Sequence, residues 1–445
     1  MTVLPSSLAP TPHSADAPTT LNKALAAPET AFTRWLVTWR WLFFAGIFIL
    51  TILPFNGQWR IGLDSSIYRG VADSLAQHGT YEFAGRRQNQ VYPGLPVMLA
   101  ALQRLFATTS LIPPLIVMNA MAIGTLAGVY LLIKRHYPLW IAVVVTCGVG
   151  LNGRFLIQAQ EIMTDMPFLF AVVWAMLAWD WLRTATGWQK IVLLSALMIA
   201  SLFVAATMRP TFWVLGAAWG IAAVWNGVRH RDKRSLIAVG VLAAVLIGFI
   251  LIDPRRRGVG MLQGVYEKQL LVIMDDLARR MVTNGSTLFS RELPEAFFNE
   301  QLWGAGAVFA VLLLAGSLIV LRRQPMWGLQ VFILTAIMLA ISDVPRYYLM
   351  VLPTLWLGYV LVLLMLTAKA RPIVRDVVLF GMFSLANFQN LGGTLRLFVE
   401  QHSGKFMQEY KHGSYIPASD MAKLIREKIG PNDVVIGPVR RSSAT

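Results

Sequence analysis

The feature that most constrains this chain is a succession of long apolar runs separated by short basic loops. A helix of about 20 apolar residues crosses the roughly 30 Å hydrocarbon layer of a bilayer. In lipid, only helices and closed barrels satisfy all of their own backbone groups. The runs are too long and too continuous for the roughly ten-residue alternating strands of a barrel. The expected fold class is therefore all-α integral membrane, with about eleven transmembrane helices. They are expected near 36–54, 111–133, 139–156, 166–183, 190–207, 211–227, 235–252, 302–321, 326–341, 347–366 and 374–391.

Charge enters the argument through its placement. Charged residues are 14% of the chain, against roughly a quarter in soluble domains. A net charge of +16 would point to nucleic acid on a soluble protein. Here the basic residues sit in short loops between apolar runs, which is a topology signal, and nucleic acid is not an expected partner. With the N-terminus inside, Lys23, Arg34 and Arg40 flank the first run. Alternation then puts Lys134-Arg135-His136, Arg183 with Lys190, and the run from Arg229 to Arg234 on that same side. Arg322-Arg323, and Lys369, Arg371 and Arg375, follow them. The agreement requires that 94–107 does not cross, and that segment reads as an interfacial helix on the outer surface. The expected location is the plasma (inner) membrane, with a cytoplasmic N-terminus.

Outside the spans, residues 1–34 form a tail whose first thirty residues are rich in Ala, Pro, Ser and Thr and read as disordered. The expected transmembrane domain covers 35–391. It carries a first outer loop at 55–110 with juxtamembrane helices, and a long outer loop at 253–300. Residues 392–445 are expected to be a short extracytoplasmic tail. There, 419–429 suits a helix capped by Ser419, and Val434-Val435-Ile436 starts a strand with no later partner. The tail therefore reads as a reduced or truncated α/β domain. Cys147, the single cysteine, excludes an intramolecular disulfide. No P-loop or dinucleotide fingerprint is present, and no Cys/His spacing for a metal.

Chemistry concentrates on the outer face. Asp64 precedes a helix expected over 65–77, where it serves either as an N-cap or as an ionised carboxylate able to take a proton. Asp165, in Thr164-Asp165-Met166-Pro167-Phe168, opens a span, and Pro167 suits a first helical turn. It too is either a cap or a group facing a polar cavity, since acids at membrane depth usually face one. Arg154, Arg209, the Asp343-Val344-Pro345-Arg346-Tyr347-Tyr348 stretch, Asn387, Gln389 and Asn390 share that face. Together the basic residues make a rim suited to a lipid phosphate, because guanidinium forks match phosphate oxygens.

Three stretches carry a family resemblance. They are Asp64 with Tyr68-Arg69, Ala72, Gly79-Thr80-Tyr81 and Tyr92-Pro93-Gly94-Leu95-Pro96; Thr164 to Phe168; and Arg346-Tyr347-Tyr348 with Leu352-Pro353. In this order and sidedness the chain resembles the GT-C-type membrane glycosyltransferases that use polyprenyl-phosphate sugars. Relatives in that superfamily include the protein O-mannosyltransferases and the lipid A aminoarabinose transferase. The resemblance implies a helical bundle with juxtamembrane helices over a cavity open to lipid. It implies an inverting transfer of sugar to an acceptor hydroxyl on a lipid, glycan or protein. It assigns Asp64 and Asp165 to catalysis, and Arg209, Arg346, Arg255 and Arg256 to the lipid phosphate. Tyr68, Tyr92 and Tyr347, carried by the same motifs, go with substrate. These motifs specify no cofactor, and a divalent cation between Asp64 and Asp165 is left open. The aminoarabinose branch has a Lys-Pro-Pro element where this chain has Tyr92-Pro93-Gly94-Leu95-Pro96, so that branch's sugar is not implied. Two other readings compete: a flippase or transporter of lipid-linked saccharides, which no internal repeat supports, and a polysaccharide polymerase or ligase built on the 253–300 loop. An inactive member of the family is a third.

Overall fold

The structure, a computed structural model, describes residues 20–26, 29–57, 64–83, 85–88, 91–229, 239–245, 247–248, 282–298, 306–341 and 345–403. The expectations for Arg255, Arg256, Asp343 and the tail beyond 403 lie outside these residues. A short helix, α1 (Thr20–Ala26), precedes a bent pair, α2 (Ala31–Thr38) and α3 (Arg40–Ile52). The loop between the first two apolar runs contributes α4 (Ser65–His78), a two-residue hairpin of β1 (Glu82–Phe83) and β2 (Arg86–Arg87), and α5 (Gly94–Phe106). Then come α6 (Ile112–Ile133), α7 (Leu139–Leu151), α8 (Gly153–Gln160), α9 (Asp165–Thr184), α10 (Trp188–Met208) and α11 (Phe212–Arg229). The C-terminal part holds α12 (Leu293–Phe298), α13 (Gly306–Arg323), α14 (Pro325–Ile341), α15 (Leu352–Leu366) and α16 (Pro372–Ser403).

Five of the described helices are long and apolar enough to cross a membrane, or up to seven if the bent pairs α2–α3 and α7–α8 each count as one span. The protein is an all-α, multi-pass membrane protein. The bends, 56° and 57°, have local causes. At the first bend, Trp39 leaves the helical conformation and closes α2 by donating its amide to the Trp35 carbonyl, and the chain restarts at Arg40. At the second bend, Asn152 takes an extended conformation and caps α8 by accepting from the Phe155 amide.

Close packing follows small residues, as it does where helices meet without a hydrophobic driving force. A Cβ placed on Gly316 of α13 would lie 2.3 Å from the Gly358 backbone of α15. Any side chain at that crossing would force the helices apart. Trp356 of α15 is fully buried against Phe297, with ring centroids 4.2 Å apart. Buried amides tie the bundle where α8 ends. The Gln160 Nε2 donates to the Thr51 carbonyl at 2.9 Å and to Asn119 Oδ1 at 3.0 Å, and the Asn119 Nδ2 donates to the Ala159 carbonyl at 3.2 Å. These bonds hold α8 against α3 and α6 and fix the segment that delivers Asp165.

The last helix runs further than the sequence pattern indicates, to Ser403 rather than 391. Asn387, Gln389 and Asn390 read as the end of a span, but Asn387 and Asn390 lie buried mid-helix. Asn390 accepts from the Gly153 amide at 3.2 Å and donates to the Phe297 carbonyl at 3.2 Å, so its polar groups find partners inside the protein.

Candidate active site

Because successive long helices run in opposite directions, the C-terminal end of α3, the start of α4, the start of α9, the end of α10 and the turn before α15 share one end of the bundle. Four of the residues singled out above meet there. Asp64 occupies the N-cap position of α4, but its side chain makes no capping hydrogen bond. Instead Asp64 Oδ2 lies 3.6 Å from Arg346 Nη2. Both side chains are partly open, with 37% and 26% of their area exposed. A guanidinium offers a charge-assisted contact that outcompetes a neutral cap bond, so the capping expectation for Asp64 does not hold.

Asp165 follows the same logic deeper in the protein. Thr164 holds the N-cap position without a side-chain bond, and Asp165 falls in the first turn with Pro167. The Asp165 carboxylate forms an ion pair with Arg209, their side chains only 1% and 9% exposed. Arg209 sits just past α10 with an extended backbone, which turns its side chain across to α9. A buried charge pair is retained only when each partner is matched. The Asp165 Oδ2 has no hydrogen-bond partner among the described residues.

A tyrosine joins the two pairs. Arg346, Tyr347 and Tyr348 lie on a tight 3-10 turn, Pro345–Val351. The Arg209 guanidinium carbon is 4.8 Å from the centre of the Tyr347 ring and that of Arg346 is 5.7 Å away. Both distances are within cation–π range. The order of groups is thus carboxylate, guanidinium, aromatic ring, guanidinium, carboxylate: Asp165, Arg209, Tyr347, Arg346, Asp64. Tyr348 faces the other way, fully buried, with its hydroxyl donating to Thr335 at 3.3 Å. The 3-10 turn therefore uses one tyrosine for the site and the next for the core.

Tyr68, one helical turn after Asp64, is buried beside the same charges. Burial pushes its phenol above the usual value, partly opposed by a hydrogen bond with Thr164. Asp64, Arg209 and Asp165 all act on it electrostatically. Next to it, the Ser65 hydroxyl donates to the Met163 sulfur at 3.4 Å. Thr164, Ser65 and Met163 were not assigned to the site from sequence. The only signal was their adjacency to Asp64 and Asp165.

Tyr92 is partly buried ahead of α5. A Cβ on Gly94 would lie 2.9 Å from the Thr207 carbonyl, so the start of α5 lies against the end of α10, two residues from Arg209. The Tyr92-Pro93-Gly94 turn thereby reaches the edge of the site. Arg154, expected in the basic rim, is committed elsewhere: it pairs with Glu295, which also lies 3.6 Å from Arg291. Among the described residues no group of three or more His, Cys, Asp or Glu side chains is placed to hold a metal ion. Asp64 and Asp165 both act electrostatically on Arg346.

The geometry can be set against known proteins. No family model and no curated protein matches the sequence. Among solved structures, ArnT from Cupriavidus metallidurans bound to undecaprenyl phosphate superimposes with a TM-score of 0.57 at 14% identity, over 90% of this chain and 82% of that one. The same protein in the apo state gives 0.52 at 16% identity, over 91% and 82%. The Archaeoglobus fulgidus oligosaccharyltransferase gives 0.49 at 14% identity, over 80% of this chain and 53% of that one. The chain has the fold of the GT-C-type membrane glycosyltransferases.

Proposed function

We propose that this protein is an inverting glycosyltransferase that moves a sugar from a polyprenyl-phosphate donor to an acceptor hydroxyl at the extracytoplasmic membrane face. The observation that carries the reading is the pairing of Asp64 with Arg346 beside the Asp165–Arg209 pair. A candidate base and two candidate phosphate-binding cations share one end of a bundle whose fold is similar to that of ArnT bound to undecaprenyl phosphate.

The reaction follows from this order of groups. The donor's lipid phosphate engages Arg346, which leaves Asp64 for the phosphate oxygens. The freed Asp64 carboxylate takes the proton of the acceptor hydroxyl as that oxygen bonds to the anomeric carbon. The bond from that carbon to the phosphate oxygen breaks, and its electron pair leaves with the polyprenyl phosphate. Attack and departure on opposite faces invert the anomeric centre. Arg346 and Arg209 meet the charge that grows on the leaving phosphate, an electrostatic effect typically worth about 3 kcal/mol of barrier per donor removed. Asp165 acts through Arg209, holding it in place, and Tyr347 stacks with both guanidinium groups. Arg255 and Arg256 remain proposed as further phosphate contacts.

The test is the stereochemistry of the product. Purified protein in nanodiscs is given a polyprenyl-phosphate sugar of known anomeric configuration, and the linkage formed is read by NMR. Inversion, with free polyprenyl phosphate released one for one, supports the reading. Retention, or movement of the intact lipid-linked sugar across the bilayer without bond cleavage, contradicts it.

A further inference from the structure

One described cavity has no part in this chemistry. It has a volume of about 320 Å³ and lies among α2, α3, α7, α15 and α16. Its wall is almost wholly apolar, including Leu36, Phe43, Val144, Tyr359 and Phe380. An apolar cavity of about 150 Å³ already stays dry and takes up benzene, so one twice that size favours an apolar guest over water. Trp35, Leu42 and Phe380, which line it, are exposed on the outer surface of the bundle. In a membrane protein that surface meets acyl chains.

Two arginines, each one helical turn from a lining residue, specify the guest further. Arg40 starts α3 one turn before the lining residue Phe43, and Arg375 lies one turn before the lining residue Leu379 on α16. Both are at the end of the bundle opposite Asp64. The Nε atoms of Arg40 and Arg375 are buried and lack hydrogen-bond partners among the described residues. Buried donors of this kind are normally satisfied. Asp376 Oδ1 is likewise without a partner, but Arg34, Lys369 and Arg371 are exposed nearby in sequence, and the local balance is basic.

We infer that this cavity holds one acyl chain of an anionic diacyl phospholipid, whose phosphate is bound by Arg40 and Arg375. The site is separate from the Asp64 end and needs no donor or acceptor sugar. The acyl chain fills the gap beside the bend between α2 and α3, and the phosphate completes the two arginines.

The test uses the purified full chain in detergent, titrated separately with phosphatidylglycerol and phosphatidylcholine of matched chains. Bound lipid is counted by native mass spectrometry. Each basic residue near an anionic headgroup contributes roughly fivefold, so phosphatidylglycerol should be retained at least about tenfold more tightly. Arg40→Gln with Arg375→Gln should reduce that preference to nearly none, whereas Lys190→Gln, at the same end on α10, should leave it intact. Gly46 lines the cavity, and a Cβ there meets nothing within 4 Å. Gly46→Phe should therefore fill the space and weaken retention of both lipids without unfolding the protein, as thermal unfolding would verify. Equal retention of the two lipids by the unmodified protein overturns the proposal and needs no variant. So does a Lys190→Gln effect as large as the double variant's, or undiminished retention in folded Gly46→Phe.

Discussion

Asp64 and Arg346, which stand at opposite ends of the described bundle in sequence, lie 3.6 Å apart, and both remain partly open to the surface. Asp165 and Arg209, by contrast, are closed off almost completely. One pair can exchange partners when a ligand arrives. The other is fixed. This difference in burial assigns the two carboxylates different tasks.

Arg346 tests the exchange. Its planar fork can meet a phosphate with two bonds and stack on Tyr347, which an ammonium group cannot do equally well. Arg346→Lys should raise KM for the polyprenyl-phosphate donor and lower kcat, and Arg346→Gln should lower kcat further, by roughly 10²-fold. Steady-state transfer assays with acceptor saturating separate the two. If Arg346→Gln left both parameters unchanged, the phosphate role would be lost.

Asp165 tests the fixed pair. Asp165→Asn strands the Arg209 charge in a buried position, which costs about 3–5 kcal/mol of stability. Arg209→Met added to it removes the stranded charge and should recover much of that loss. Denaturant unfolding of the single and double variants measures the coupling. Additive losses would mean that the two residues act independently.

Tyr68 makes a pH prediction. Burial raises its phenol above the usual value of about 10. The folded state then keeps the proton when the unfolded state begins to release it. The associated stability is fully present below about pH 10 and is lost as pH rises from there through the folded value. Tyr68→Phe should remove this alkaline loss, at a cost of about 1 kcal/mol at neutral pH for the bond with Thr164. Thermal unfolding between pH 7 and 11 reads both effects. An unchanged alkaline slope in Tyr68→Phe would contradict the burial argument.

Much of this arrangement was readable from the residues. The apolar runs announced the helical membrane fold, and the sided basic loops placed Asp64, Asp165, Arg209 and Arg346 at one end. The helix expected over 65–77 is found at Ser65–His78. The pairings were not readable, because they join residues far apart in the chain through helix packing. Both carboxylates looked like helix caps because capping is a local property, visible in sequence. Their guanidinium partners are not local. Arg154 resembled Arg209 in position and type, yet Glu295 claims it. The Asn387–Asn390 stretch marked the end of a span for the same reason: polar residues that bond inside the bundle look like polar residues that leave it.

The most direct test of the central claim is the single-turnover rate of sugar transfer from a polyprenyl-phosphate donor, comparing the unmodified protein with Asp64→Asn in nanodiscs at matched folding. Loss of a general base predicts a rate lower by roughly 10² to 10⁴-fold, with donor binding preserved because Asp64 does not hold the phosphate. A folded Asp64→Asn protein that transfers sugar at the unmodified rate would show that Asp64 is not the base.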